Sequence, residues 1–137
     1  MKFILTTLFM FFSMAAMAQA DIPELQMNQG IEYISGGIGS EESEAMLALS
    51  PKWPLTLEFS QAHAERPLWV ADVSVKVVNL KTQKVIFTGL SDGPIMLINL
   101  PSGQYQLKLE FEGRPLNKQI KVDADKPQKL SIAWPAK

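Results

Sequence analysis

The sequence predicts an all-β domain: an antiparallel β-sandwich of about seven strands with one short N-terminal helix. Three observations carry this prediction. From residue 100 to 112 a Pro-Ser-Gly turn leads into strict alternation, with Tyr105, Leu107, Leu109 and Phe111 on one side of a strand and Gln106, Lys108, Glu110 and Glu112 on the other. After Pro51 the rest of the chain repeats this period of two in short runs bounded by Gly, Pro, Asp and Asn. Between those runs there is no helical periodicity of the kind that a parallel β-α-β arrangement requires.

Residues 21–30 mix Pro23 and Gly30 with isolated apolar side chains, which predicts an extended lead-in with little regular structure. Residues 31–34 are short and β-prone. Gly36-Gly37-Ile38-Gly39 breaks that strand, and Ser40 is placed to cap a helix. Its first turn carries Glu41, Glu42 and Glu44, as the dipole favours, and Pro51 ends it after Leu49. Leu55, Leu57 and Phe59 then alternate with Thr56 and Glu58; Val73, Val75 and Val77 with Ser74 and Lys76; Val85 and Phe87 with Ile86 and Thr88. Residues 95–100 are apolar on both sides except at Asn99. They predict a central strand, or one whose outer face is covered by the helix or the lead-in.

Pro101 and Gly103 suit a three-residue hairpin into the Tyr105 strand. Gly113 makes the next turn, and Pro115 places the strand of Leu116, Ile120 and Val122 at or near a sheet edge. Residues 123–127 turn again before Leu130, Ile132 and Trp134 form the last strand. Trp134 keeps step with the apolar face and belongs to the core, whereas Trp69 is out of step with Leu68 and Val70 and faces outward. An eight-stranded outer-membrane barrel fits less well, because its strands need ~9 to 11 residues and aromatic girdles.

The first twenty residues predict export. Lys2 is a short positive start, residues 3–17 are almost wholly apolar, and Ala18-Gln19-Ala20 supplies the small residues of a cleavage site before Asp21. The apolar run is shorter than the ~20 residues of a membrane span, so residues 1–20 read as a signal peptide and the mature chain as not membrane-spanning. Residues 21–137 are one domain's length. They carry 12 basic against 14 acidic side chains, which gives no electrostatic case for nucleic acid or anionic lipid. The chain has no Cys, so neither a disulfide nor attachment of lipid to a Cys is available, and buried apolar area alone must hold the fold.

Chemical sites are sparse. The Gly36–Gly39 loop has no following Lys-Ser or Lys-Thr and lacks the third glycine of a dinucleotide fingerprint, so the glycines serve a tight passage from strand to helix. His63 is the only histidine and sits in a polar loop with no second ligand for a metal. No Gly-x-Ser-x-Gly elbow offers a nucleophile. Asp123 with Asp125, or Glu41 with Glu42 and Glu44, do not follow the spacing of a calcium loop and read as solvated. No cofactor and no metal are expected.

The phrase Leu100-Pro101-Ser102-Gly103-Gln104-Tyr105 resembles that of carboxypeptidase regulatory-like domains of the transthyretin-like sandwich group. Taken with the segment Tyr33 to Gly39, the Ala71-Asp72-Val73 strand, Ser91-Asp92-Gly93-Pro94 and the final strand ending in Trp134, the chain is similar to a family of uncharacterised exported proteobacterial proteins that carry this label. The resemblance covers nearly all of residues 21–137. It implies a sandwich fold and the periplasm, with secretion as the alternative, and no activity that could be carried onto residues. The His-rich site and Tyr-Arg-Gly-Ser ending of the purine-pathway hydrolase on this fold are absent.

The expected role is a non-catalytic, monomeric or weakly associating module, protein- or carbohydrate-binding or envelope-structural. The alternative is a small exported hydrolase with an unrecognised site. Loops on a rigid scaffold gather function. The expected partner surface is therefore Tyr33, Ser35, Gly36, Gly37, Glu41, Glu42 and Glu44, with Trp69 and Asp92 near it, offered to a protein or glycan. The rival is that glycines and helix simply close one end of the sandwich over the Ile95 strand.

Overall fold

The computed structural model describes residues 22–137; the expected signal peptide and the start at Asp21 lie outside the described residues. In chain order the elements are β1 (Gln26–Asn28), β2 (Ile31–Gly36), α1 (Ser40–Leu49), a 3-10 turn (Ser50–Lys52), β3 (Leu55–Gln61), β4 (Leu68–Trp69), β5 (Ser74–Asn79), β6 (Val85–Leu90), β7 (Ile95–Ile98), β8 (Gly103–Phe111), β9 (Arg114–Val122) and β10 (Gln128–Trp134). The larger sheet runs β1-β2-β7-β3-β10, with β4 on the β3 edge; the smaller runs β6-β5-β8-β9. The domain is therefore an all-β sandwich with one short α-helix. Ten strands form because two pieces, β1 and β4, pair where the sequence reads as irregular chain. β1 exists through a two-residue turn: Gln29 and Gly30 both have positive φ, which matches the twist of a hairpin.

The core fills the space between the sheets. Leu55, Leu57 and Phe59 of β3, Met96 and Ile98 of β7, and Ile132 and Trp134 of β10 meet Val75, Val77, Phe87, Tyr105, Leu107, Leu109 and Phe111 from the smaller sheet. A second cluster lies on the outer face of the larger sheet, where Met46 of α1 packs on Ile34, Ile95 and Leu97. β7 is thus central between β2 and β3 and also covered by the helix, which is why its four residues are apolar on both sides. Pro115 lies in the edge strand β9, where its missing N–H interrupts no ladder.

Three expectations change. β7 and β8 are not a hairpin, because residues 99–102 carry the chain from one sheet to the other. The hairpin partner of β8 is β9, joined through Glu112 and Gly113, both at positive φ. The sandwich is not wholly antiparallel either: β10 runs parallel to β3. Leaving β9 at the rim of the smaller sheet, the chain enters the larger sheet beside Pro54, whose carbonyl accepts from the Gln128 N–H at 3.2 Å, and so runs in the direction of β3. Lastly, Ser40 does not cap α1. Gly39 holds the cap position without a side-chain bond, and Ser40 is the first helical residue.

Candidate functional site

The nine expected surface residues do not form one site: Glu41 and Glu44 are exposed on α1 apart from the rest, which fall around two places. The first is a hydrogen-bonded set where β1, β2 and the residue 91–94 turn meet. Tyr33 packs its ring edge-on against Phe87, centroids 5.0 Å apart, and its hydroxyl donates to Gln26 Oε1 at 2.9 Å. Gln26 Nε2 donates to Asp92 Oδ2 at 3.4 Å, and the Asp92 N–H donates to Ser35 Oγ at 2.7 Å. Ser91, wholly buried, completes the turn: its Oγ accepts from the Val73 N–H at 2.9 Å. Most buried polar side chains are hydrogen-bonded, and here these bonds tie the end of β6 to β2 and β5.

Gly36 and Gly37 are buried, and their neighbours explain why. A Cβ at Gly36 would lie 2.6 Å from Pro23 and 2.7 Å from the Glu42 carboxylate, which folds over it. Gly37, at φ +93, has Ile95 against it at 2.9 Å from the same hypothetical atom. Gly93 is tighter still, since a Cβ there would collide with the Gly36 carbonyl. These glycines let β2, α1 and the residue 91–94 turn approach closely.

The second group gathers around Trp69. This side chain is 57% exposed on β4, and it lines a cleft of ≈ 490 Å³ together with Gly37, Ile38, Gly39, Ser40, Ser43 and Pro94. Ile38, another of its lining residues, is 66% exposed. Of the expected residues only Gly37 and Trp69 line this cleft; Tyr33, Ser35, Gly36, Asp92 and the three glutamates do not. Trp69 also borders a second cleft, of ≈ 300 Å³, with Glu58, Ser60, Pro67 and Ser131. Ile38, Ser43, Glu58, Ser60 and Ser131 escape sequence reasoning as site residues. A lone apolar residue inside a glycine run was the available signal for Ile38. For Ser131 there was none, because its place beside Glu58 depends on the parallel pairing.

Among the described residues no group of three His, Cys, Asp or Glu side chains could hold a metal ion. His63 is exposed in its loop, where Nδ1 accepts from the Glu65 N–H at 3.4 Å. The clear pKa displacement belongs to Tyr105, raised by burial, and that residue lies inside the sandwich. No described helix is long and apolar enough to cross a membrane.

Residues 75–136, which begin inside β5 and end just after β10, match the family model of the PEGA domain. The matched stretch includes the whole of β6 to β10, and it omits β1 to β4, α1 and Trp69. No curated protein matches the chain. The carboxyl-terminal part of this sandwich is therefore similar to a PEGA domain; the helix precedes the matched stretch, and the Trp69 clefts combine residues that precede it with Pro94 and Ser131 inside it.

Proposed function

We propose that this protein is a non-catalytic β-sandwich module of the bacterial envelope, exported to the periplasm, that binds a partner through the surface around Trp69. The observation that carries the reading is the exposed indole that lines two clefts, one of them shared with exposed Ile38. Large apolar side chains held on rigid backbone at a concave surface bind at small entropic cost. The PEGA match over residues 75–136 supports a β-rich module of exported proteins, and the pattern of residues 1–20 supports export. A closer kinship with carboxypeptidase regulatory-like sandwiches rests on residues 100–105. The non-catalytic half rests on the sequence, which has a single His and no Gly-x-Ser-x-Gly elbow.

Two measurements test this. Fractionation of cells expressing the full chain should recover the protein in the periplasm with a mature mass beginning at Asp21; retention of residues 1–20 in a cytoplasmic product would overturn the export claim. Wild-type protein should co-sediment with isolated envelopes, and Trp69→Ala or Ile38→Ser should release it. Equal sedimentation of the variants would overturn the binding surface.

A further inference from the structure

The register of the larger sheet gives the Trp69 surface a specific chemistry. Ser60 of β3 lies directly opposite Trp69 of β4 on one side and opposite Ala133 of β10 on the other, and Glu58 lies opposite Ser131. Paired residues share a face. Leu57 and Phe59 point into the core, so Trp69, Ser60, Ala133, Glu58 and Ser131 all stand on the outer face, beside the helix cluster, whose Ile95 is paired with Glu58. Three of these five are Ser or Ala. The indole therefore rises beside a low floor, with neighbouring strands about 5 Å apart. At its far side Ser131 Oγ donates to Glu58 Oε2 at 3.3 Å, which leaves Oε1 free to accept from a ligand.

We infer that this face binds an uncharged glycan. A pyranose ring matches the arrangement: its C–H face packs on the Trp69 indole, and its hydroxyls, which are donors, meet the acceptor-only carboxylate of Glu58 and the hydroxyls of Ser60 and Ser131. Among the described residues Glu58 is the one charged side chain lining either cleft beside Trp69, and no Lys or Arg lines them, so an anionic glycan is repelled. An extended peptide fits less well. β3 is paired on both edges, by β10 on one side and by β7 and β4 on the other, and β4, which carries Trp69, is only two residues long, too short an edge to template an extended peptide. The inference rests on Trp69 being the binding platform and narrows it to one ligand class.

The test titrates the purified full chain with maltohexaose, cellohexaose, chitohexaose and xylohexaose, and with oligogalacturonate as the anionic comparison, by calorimetry and tryptophan fluorescence. Saturable binding to at least one uncharged oligosaccharide is expected, with little binding of oligogalacturonate. Affinity should fall on the order of tenfold in Trp69→Ala and in Glu58→Gln, the scale of one lost stacking or hydrogen-bonding contact. It should be unchanged in Lys108→Ala on the other sheet. Because Trp69 and Glu58 are not core residues, thermal melts should show all variants folded. Binding that survives Trp69→Ala, equal binding of oligogalacturonate, or no binding to any uncharged oligosaccharide overturns the inference. If the last result is found while Trp69→Ala still releases the protein from envelopes, the glycan assignment falls and the binding-module reading stands.

Discussion

The hydroxyl of Tyr105 donates to the carbonyl of Pro101, four residues upstream, at 2.6 Å. The bond closes the corner through which the chain passes from the larger sheet into β8, with the ring itself buried in the core. Gly103 makes room for it, because a Cβ there would stand 3.1 Å from the Tyr105 hydroxyl. This is the geometry of a tyrosine corner, a device of Greek-key sandwiches. It accounts physically for the spacing of Pro, Gly and Tyr in residues 101–105.

Tyr105→Phe should therefore cost about 1 kcal/mol, one modest hydrogen bond, with the fold kept. A pH dependence follows from the raised pKa of the phenol, which burial causes. The folded state holds this proton more tightly than the unfolded chain. The stability so contributed is fully present below the ordinary tyrosine value near 10 and is lost as pH rises through the folded value. Urea melts at increasing pH above about 10 should show a decline that is smaller in Tyr105→Phe; identical slopes would contradict it.

Leu107 is wholly buried and its neighbour Lys108 is exposed. Leu107→Ala should cost about 2 to 5 kcal/mol through the cavity it leaves, and Lys108→Ala should change stability by no more than about half a kcal/mol. Denaturant midpoints at constant m-value measure both, and similar losses would mean that the faces of β8 are misassigned.

The glycines should rank by what surrounds them. Gly93→Ala drives a methyl group into the Gly36 backbone and should cost about 3 kcal/mol or more, since backbone cannot give way as a flexible side chain can. Gly30→Ala meets open space and carries only the penalty of positive φ, about 1 kcal/mol. Thermal melts that reverse this order would refute the close approach of the residue 91–94 turn to β2.

Thr56 is fully buried on β3, and its hydroxyl has no hydrogen-bond partner among the described residues. Removing an unpaired buried hydroxyl while keeping the side-chain shape relieves a desolvation cost. Thr56→Val is expected to raise stability by about 1 kcal/mol; a loss of that size would show that the hydroxyl is satisfied in solution.

The candidate surface was only partly legible from residue types. Trp69 shows itself because it is out of step with Leu68 and Val70, and an outward indole is what the structure contains. Tyr33, Ser35 and Asp92 look equally notable in sequence. Their bonds, however, run to Gln26 and to each other's backbone, so they join strands.

What the sequence by itself determined is which side of each strand is buried. Alternation writes facing directly, so the inward set of β3, β5 and β8 and the doubly covered β7 follow from the order of apolar residues. Only the tertiary structure decided which strands pair. Alternation is the same whether a strand's neighbour is parallel or antiparallel, consecutive or distant, so β10 beside β3 and the crossing between β7 and β8 have no local signature. That pairing sets Ser131 next to Glu58, and with β4 it brings Trp69 beside both: the surface is made by register between segments more than sixty residues apart in the chain.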